Sequence, residues 1–271
     1  MATAVSSRPF LARHEFLIRR LHSLTGLVPV GAFMAVHLSV NASVVDGPAT
    51  FQRAVFQIHS LGNLLPVVEW AFIFGPILFH GLLGLWIMRG GMANTGTYRY
   101  ANNYRYFLQR ISGILAFAFI IWHVFHMHGW FPFEFWRDHV AAPFGGGQFR
   151  PYNAASTLAE AMAGVSVPVL YALGVLACVF HFANGLWTMG ITWGLWTSPN
   201  GQRRATGLCA LAGLALAVVG LTALGGALMV DVPRARAIED AMYASREAAH
   251  EVSPNKHKRV GQYGDTDAPA P

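Results

Sequence analysis

The chain alternates between five long apolar segments and shorter polar ones. Crossing the hydrocarbon core of a bilayer takes about 20 apolar residues in a helix, and each of these segments is long enough. Four carry no formal charge and the second carries only Glu69; the segments are 21–45, 67–88, 111–133, 161–202 and 205–230. One such segment would fit a buried helix of a soluble protein, but five predict an all-α integral membrane bundle of five transmembrane helices.

Composition and charge support the same class of protein. The chain is 54% hydrophobic and 12% charged, and this charged fraction is about half that of an ordinary soluble domain. Cytoplasmic loops are enriched in basic residues. Arginines are frequent before the first segment and after the second and fourth, which predicts an N-terminus inside and a C-terminus outside: Arg8, Arg13, Arg19, Arg20, Arg89, Arg99, Arg105, Arg110, Arg203 and Arg204. The net charge of +6 therefore reflects topology, and no nucleic-acid partner is expected.

The polar ends complete the predicted organisation: a cytoplasmic tail (1–20), the membrane domain (21–230) and a polar C-terminal tail (231–271). Within the last, residues 235–249 predict a short interfacial helix, and the final GQYGDTDAPAP is expected to be disordered. Cys178 and Cys209 form no C-x-x-C pair. The chain therefore has no iron–sulfur motif and no covalent haem attachment motif.

Histidines occur in four of the apolar segments: His37, His80, His123 and His181, with His126 one turn beyond His123. A single intramembrane histidine is often just a hydrogen-bonding side chain between helices, but four indicate a functional site. At 1.5 Å per residue, His37 and His123 lie about 25 and 20 Å from the inner ends of their helices, and the other two about 13 Å. Two histidines at each of two depths predict two haems, each held by two imidazoles.

A repeated frame surrounds two of these histidines. Residues 79–88 read FHGLLGLWIM and residues 180–189 read FHFANGLWTM. Gly84 and Gly185 follow their histidines by four positions, on the same helix face, so they are predicted to leave room for a flat macrocycle. The shared Trp86 and Trp187 are predicted to be interfacial anchors.

Other metal or transport functions fit less well. A zinc site favours carboxylates or cysteines near the histidines, whereas the five segments contain one carboxylate, Glu69. A proton-coupled transporter usually has more intramembrane acids and interrupted helices. A histidine-lined transporter or metal carrier nevertheless stays open as an alternative.

The stretches RRLHSLTGLVPVGAFMAVHL, FHGLLG, LQRISGILAFAFIIWHVF and HFANGLW resemble the cytochrome b anchor subunit of succinate dehydrogenases of the di-haem, five-helix, single-anchor type, and of the related fumarate reductases. The resemblance covers about residues 10–230. It implies a bacterial cytoplasmic (inner) membrane location and a part in the tricarboxylic acid cycle. It also implies two partners, a flavoprotein subunit that oxidises succinate and an iron–sulfur subunit that passes electrons on.

The resemblance implies that His37 and His123 bind an outer, low-potential haem b, and that His80 and His181 bind an inner, high-potential one. It further implies electron transfer to a quinone, menaquinone in many members, so this chain would relay electrons without oxidising succinate itself. Glu69 and His126 are the candidate quinone-site groups. The alternative stays open that Glu69 lies at the headgroup level and that His126 caps a loop or contacts a haem propionate.

One position of the sequence bears on the direction of the reaction, and a second class of membrane dehydrogenase is also considered. Val179 stands two residues before His181, where some fumarate reductases of the family have a glutamate, and this departure favours a succinate-oxidising enzyme. The runner-up is the cytochrome b subunit of another membrane dehydrogenase, such as a hydrogenase or a formate dehydrogenase.

Overall fold

The computed structural model describes residues 13–91 and 94–261, and its described part is helical, without a strand. Five helices are long and apolar enough to cross a membrane, which confirms the predicted all-α bundle. The longer helices, numbered in chain order, are α1 (Glu15–Asp46), α2 (Pro48–His59), α3 (Gly62–Met88), α4 (Ala101–His128), α5 (Ala154–Ala161), α6 (Ser166–Thr192), α7 (Pro199–Leu228) and α8 (Val232–Ala248). The spans are α1, α3, α4, α6 and α7, and the orientation of the termini stays a prediction.

Two of the spans extend beyond the uncharged segments of the sequence, and residues at their ends explain where they begin or stop. Helix α4 begins well before Ile111 and ends at His128, because Gly129 takes the left-handed conformation at φ 81° that commonly stops a helix. Helix α7 begins at Pro199, and the Ser198 Oγ accepts a hydrogen bond from the Gly201 amide at 3.1 Å. This serine–proline start is a favourable helix beginning.

Two spans contain a widened, π-helical turn next to a proline. In α1 this turn covers Gly26–Gly31 and includes Pro29. In α3 it covers Trp70–Phe74, just before Pro76. A proline has no amide hydrogen, and its ring collides with the carbonyl four residues earlier, so the helix widens locally instead of breaking.

The five spans form a closed ring around a central cavity. Helix α6 packs against α4 and α7, α7 packs against α1, and α1 and α4 both contact α3. Glycines permit the closest approaches: a Cβ on Gly213 would lie 2.8 Å from the Ala183 Cβ, and one on Gly220 would lie 2.6 Å from Val175. Small residues at such positions bring helix backbones together in membranes.

A folded cap covers one end of this ring. We define the cap as residues 47–61, 129–165 and 229–261, in which α2, α5 and α8 pack together. Its core includes fully buried polar side chains as well as apolar ones. The Glu239 carboxylate accepts hydrogen bonds from the Ala155 amide at 2.6 Å, the Ser156 amide at 3.1 Å and the Ser156 Oγ at 2.6 Å. These bonds satisfy amides at the start of α5.

The C-terminal tail therefore differs from its prediction. The expected helix exists, but Ala235, Glu239 and Tyr243 of α8 are fully buried against the cap, so it is part of the fold and not a separate interfacial helix. Its sequence shows little apolar periodicity, because the buried face combines an alanine, a carboxylate and a phenol. The stretch predicted to be disordered is 261–271, and all of it except Gly261 lies outside the described residues. Residues 1–12 of the predicted N-terminal tail lie outside them as well.

Replacement of Glu239 by alanine should destabilise the cap by about 2–4 kcal/mol, because three buried donors lose their acceptor. Burial raises the pKa of this carboxyl, although the bonds from Ser156 and Ala155 oppose the shift. Limited proteolysis of the purified protein should show faster cleavage within the cap. Glu251→Ala is the control, since Glu251 is exposed and pairs only with Arg246 at 2.8 Å. Equal cleavage rates of the two variants would contradict this role.

Candidate cofactor site

A large cavity of about 1300 Å³ follows the axis of the bundle. Its wall is mostly apolar, and it includes His37 of α1, His80 of α3, His123 of α4 and His181 of α6. The structure thus brings all four predicted histidines to one interior space. A largely apolar cavity with a few convergent polar groups is the usual form of a cofactor site.

The four histidines form two pairs, as their predicted depths require. The ring centroids of His37 and His123 lie 5.8 Å apart, and those of His80 and His181 lie 6.1 Å apart. Imidazole nitrogen bonds a transition metal at about 2.0 Å and lies about 1.1 Å from its ring centroid, so two imidazoles on opposite sides of one ion have centroids about 6.2 Å apart. Both spacings fit a metal held between each pair.

Hydrogen bonds orient three of the rings. The Nδ1 of His80 lies 2.9 Å from the His22 carbonyl, and that of His181 lies 3.0 Å from the Gln109 carbonyl. The Nδ1 of His123 lies 3.2 Å from the Tyr171 hydroxyl. A metal-binding histidine almost always donates its other ring nitrogen in this way, which leaves Nε2 as the ligand atom.

The contacts of His37 are different. Its Nε2 lies 3.4 Å from the Asn41 amide nitrogen, one turn further along α1. Asn41 also donates to the His37 carbonyl at 2.8 Å, so the amide group has a second partner. A cofactor that binds the His37 Nε2 would therefore displace only the long contact with Asn41.

Glycines of neighbouring helices determine where two of the imidazoles lie. A Cβ on Gly26 would overlap the His80 ring, and a Cβ on Gly113 would lie 2.8 Å from Cε1 of His181. The predicted glycines line the cavity as well. Gly84 lies nearest to His22 and Gly185 nearest to Gln109, each at 3.3 Å from an added Cβ. Their role beside a macrocycle stays a prediction. Nothing in the sequence connects Gly26 or Gly113 with these imidazoles, because each meets a histidine of another helix.

Asn184 and Trp187, which lie within 180–189, have a packing role in α6. Asn184 accepts a hydrogen bond from the Arg105 Nε at 2.9 Å and donates to the Gln109 Oε1 at 2.7 Å. Trp187 is 7% exposed, and the Arg105 guanidinium lies 3.7 Å from its ring centroid. The Trp187 ring therefore packs between helices and covers an arginine, whereas its role as an interfacial anchor stays a prediction. Gln109 carries this network to the carbonyl of His181 at 3.1 Å.

The two candidate quinone-site groups differ in position. His126 is buried, stacks on Trp122 with centroids 4.8 Å apart, and lies 2.9 Å from the Tyr171 hydroxyl through its Nδ1. It does not contribute to the cavity wall, whereas Glu69 does and is half-buried. Tyr171, which bridges His123 and His126, lines the cavity too. It was missed because nothing in the sequence connects a tyrosine of α6 with histidines of α4.

Basic groups gather where the cap meets the cavity: His59, His128, Arg137, Arg150, His257 and Lys258. Burial, together with the nearby Lys258 and His128, lowers the pKa of His59 to about 4. Burial also lowers the pKa of both arginines. The His59 Nδ1, the His128 Nδ1 and the Arg137 Nε are buried without a hydrogen-bond partner.

Five spans and two facing histidine pairs in one apolar cavity define a multi-pass helical membrane protein with a candidate site for a histidine-bound cofactor. The chain is 36% identical over 210 residues to the succinate dehydrogenase cytochrome b558 subunit of Bacillus subtilis (strain 168), and the alignment covers 78% of this chain and 96% of that protein. No family model matches the chain.

The chain therefore belongs to the family of succinate dehydrogenase cytochrome b subunits. The predicted resemblance is confirmed, as is a multi-pass protein of the bacterial cytoplasmic membrane with a part in electron transport. The hydrogenase, formate dehydrogenase and transporter alternatives receive no support from this relationship.

Replacement of Gly113 by alanine should destabilise the bundle by about 1–3 kcal/mol, because the new methyl group displaces the His181 ring. Thermal unfolding of the detergent-purified protein measures this loss. Gly207→Ala in α7 is the matched control, since nothing lies within 4 Å of an added Cβ there. The control should be neutral or stabilising by up to about 1 kcal/mol. Equal midpoints for the two variants would show that the ring moves freely.

Proposed function

We propose that this chain anchors a succinate dehydrogenase to the membrane and relays electrons from its iron–sulfur subunit through two b haems to a quinone of the menaquinone type. The observation that carries the proposal is the pairing of four histidines from four helices, with centroid spacings of 5.8 and 6.1 Å in one apolar cavity. The flavoprotein subunit would supply the electrons by oxidising succinate.

Residues of the chain have separate tasks in this proposal. His37 and His123 would hold one haem and His80 and His181 the other, through their Nε2 atoms. Haem b held by two imidazoles would supply one-electron transfer at this site in preference to oxygen binding. The carbonyls of His22 and Gln109 fix the orientation of two of the rings, and such partners also make the imidazole a stronger ligand.

The apolar wall supports the relay in a second way. Apolar surroundings favour the neutral form of an imidazole, which is the form that binds a metal ion. The closed ring of helices holds both members of each pair at a fixed separation. Little rearrangement is then needed when the charge at the site changes.

The position of the basic residues supports the proposed orientation. Arg19, Arg110 and Arg203 belong to the end of the bundle opposite the cap, where the positive-inside rule predicts the cytoplasm and hence the two partner subunits. At the capped end, Glu69 is the better candidate for quinone protonation, because it lines the cavity and His126 does not.

Loss of either ligand should remove the haem that the pair shares. We expect His80→Ala and His181→Ala each to lower the haem content of the purified complex by about half and to remove the same spectral component, since haem retention needs both axial bonds. Reduced-minus-oxidised spectra with dithionite and then with succinate measure both effects. His139→Ala is the control, because His139 is exposed in the cap and bonds only to the Phe135 carbonyl. Loss of different components in the two variants would contradict the pairing.

A further inference from the structure

The capped end of the cavity has an excess of positive charge. Arg137 and Arg150 come from the connection between α4 and α5, and Lys258 comes from the C-terminal segment after α8. All three side chains are half-buried and line the cavity. Among the described residues, none of the three forms an ion pair with a carboxylate, although Arg236, Arg246, Lys256 and Arg259 of the same region each do.

The acidic groups nearby offset only part of this charge: Asp138 lies within electrostatic reach of Arg137 and Arg150 but forms no ion pair with either. Asp138 also lines the cavity, but it pairs with Lys256 at 3.3 Å, and Lys256 pairs with Glu134 as well. Glu69 is the remaining acid of the wall, and it lies within electrostatic reach of Lys258 without an ion pair. Burying cations costs free energy unless an anion or hydrogen-bond acceptor compensates them. The arrangement therefore calls for an acceptor that carries negative charge.

Unpaired donors point into the same region. The Arg137 Nε, the His59 Nδ1 and the His128 Nδ1 have no hydrogen-bond partner, and buried polar atoms in proteins are nearly always satisfied. His128 follows His123 by five residues on α4, about 7.5 Å along the helix axis. One of these donors thus lies on the cap side of the histidine pair nearest the cap, and Arg137, His59 and His128 all line the same cavity as that pair.

We propose that Arg137, Arg150 and Lys258 bind the propionate carboxylates of the haem held by His37 and His123, so that the C-terminal segment completes this site. The inference rests on the proposed function. Haem b carries two carboxylates on one edge of its ring, and arginine binds a carboxylate through two parallel hydrogen bonds. A neutral quinone carbonyl would accept a hydrogen bond but would not offset three cations.

The C-terminal segment is held firmly enough to provide such a residue. The Lys258 carbonyl accepts a hydrogen bond from the Tyr152 amide at 2.8 Å, and the His257 carbonyl accepts one from Arg150 at 3.1 Å. The Val260 amide donates to the Asn153 Oδ1 at 2.9 Å. These bonds tie the segment to the loop before α5, which brings Lys258 and Arg150 to the same wall. The second pair, His80 and His181, lies toward the uncapped end and has no such contact with the C-terminal segment.

The test is a redox titration of both haems in the whole complex, with Lys258→Gln and Arg137→Gln compared with wild type. Removing a cation disfavours the reduced haem, so each variant should shift the equilibrium of the His37/His123 haem by about three- to tenfold toward oxidation, tenfold being 59 mV for one electron. The other haem should not shift. The His37→Ala spectrum identifies which component belongs to which site.

Lys256→Gln is the matched control, since it removes the same charge two residues earlier, where the side chain faces Glu134 and Asp138 and not the cavity. We expect a smaller shift than for Lys258→Gln.

Three results would overturn the proposal. Unchanged potentials in both variants, with haem content intact, would show that the cations do not contact the haem carboxylates. Equal shifts in the redox potentials of both haems would show that the substitutions act through a long-range electrostatic effect or through a disturbed fold. Unchanged potentials with a raised KM for quinone would assign the cations to a quinone. Absence of haem from the wild-type complex would be a separate outcome, because it would contradict the proposed function itself.

Discussion

Burial of imidazoles in an apolar membrane bundle constrains the rest of this structure. A ring nitrogen without a partner is costly in such surroundings, so the Nδ1 atoms of His80, His123 and His181 each have an acceptor on a neighbouring helix. These bonds fix the register of α1 against α3 and of α4 against α6. With Nδ1 engaged, Nε2 of each ring is the atom left to bind a metal ion in the cavity.

Close helix packing follows from the same constraint. The rings of His80 and His181 occupy space that a side chain on Gly26 or Gly113 would fill. The network from Arg105 through Asn184 to Gln109 then supports the backbone that accepts the His181 bond. A polar network of this kind is rigid when every member is satisfied, which keeps the histidine pairs at a constant separation.

The sequence predicts the spans and the histidines well, because apolar length and intramembrane ionisable groups are strong local signals. It does not predict contacts between helices. Gly26 and Gly113 act on histidines of other helices, and Tyr171 meets His123 across an interface, so no spacing along the chain reveals them. The cap is missed for a related reason: α8 buries Glu239, a residue type that usually lies on the surface, and its docking depends on amides of α5 that are distant in sequence.

The central claim is that one chain holds two haems between two histidine pairs. A pyridine haemochrome assay on the purified complex, scaled to the amount of this chain, tests the claim most directly because it counts haem b without assuming any ligand. We expect two haems b per chain, one for each histidine pair. A ratio of one would leave one of the histidine pairs without a cofactor and would contradict the account, and a ratio of zero would contradict haem binding altogether.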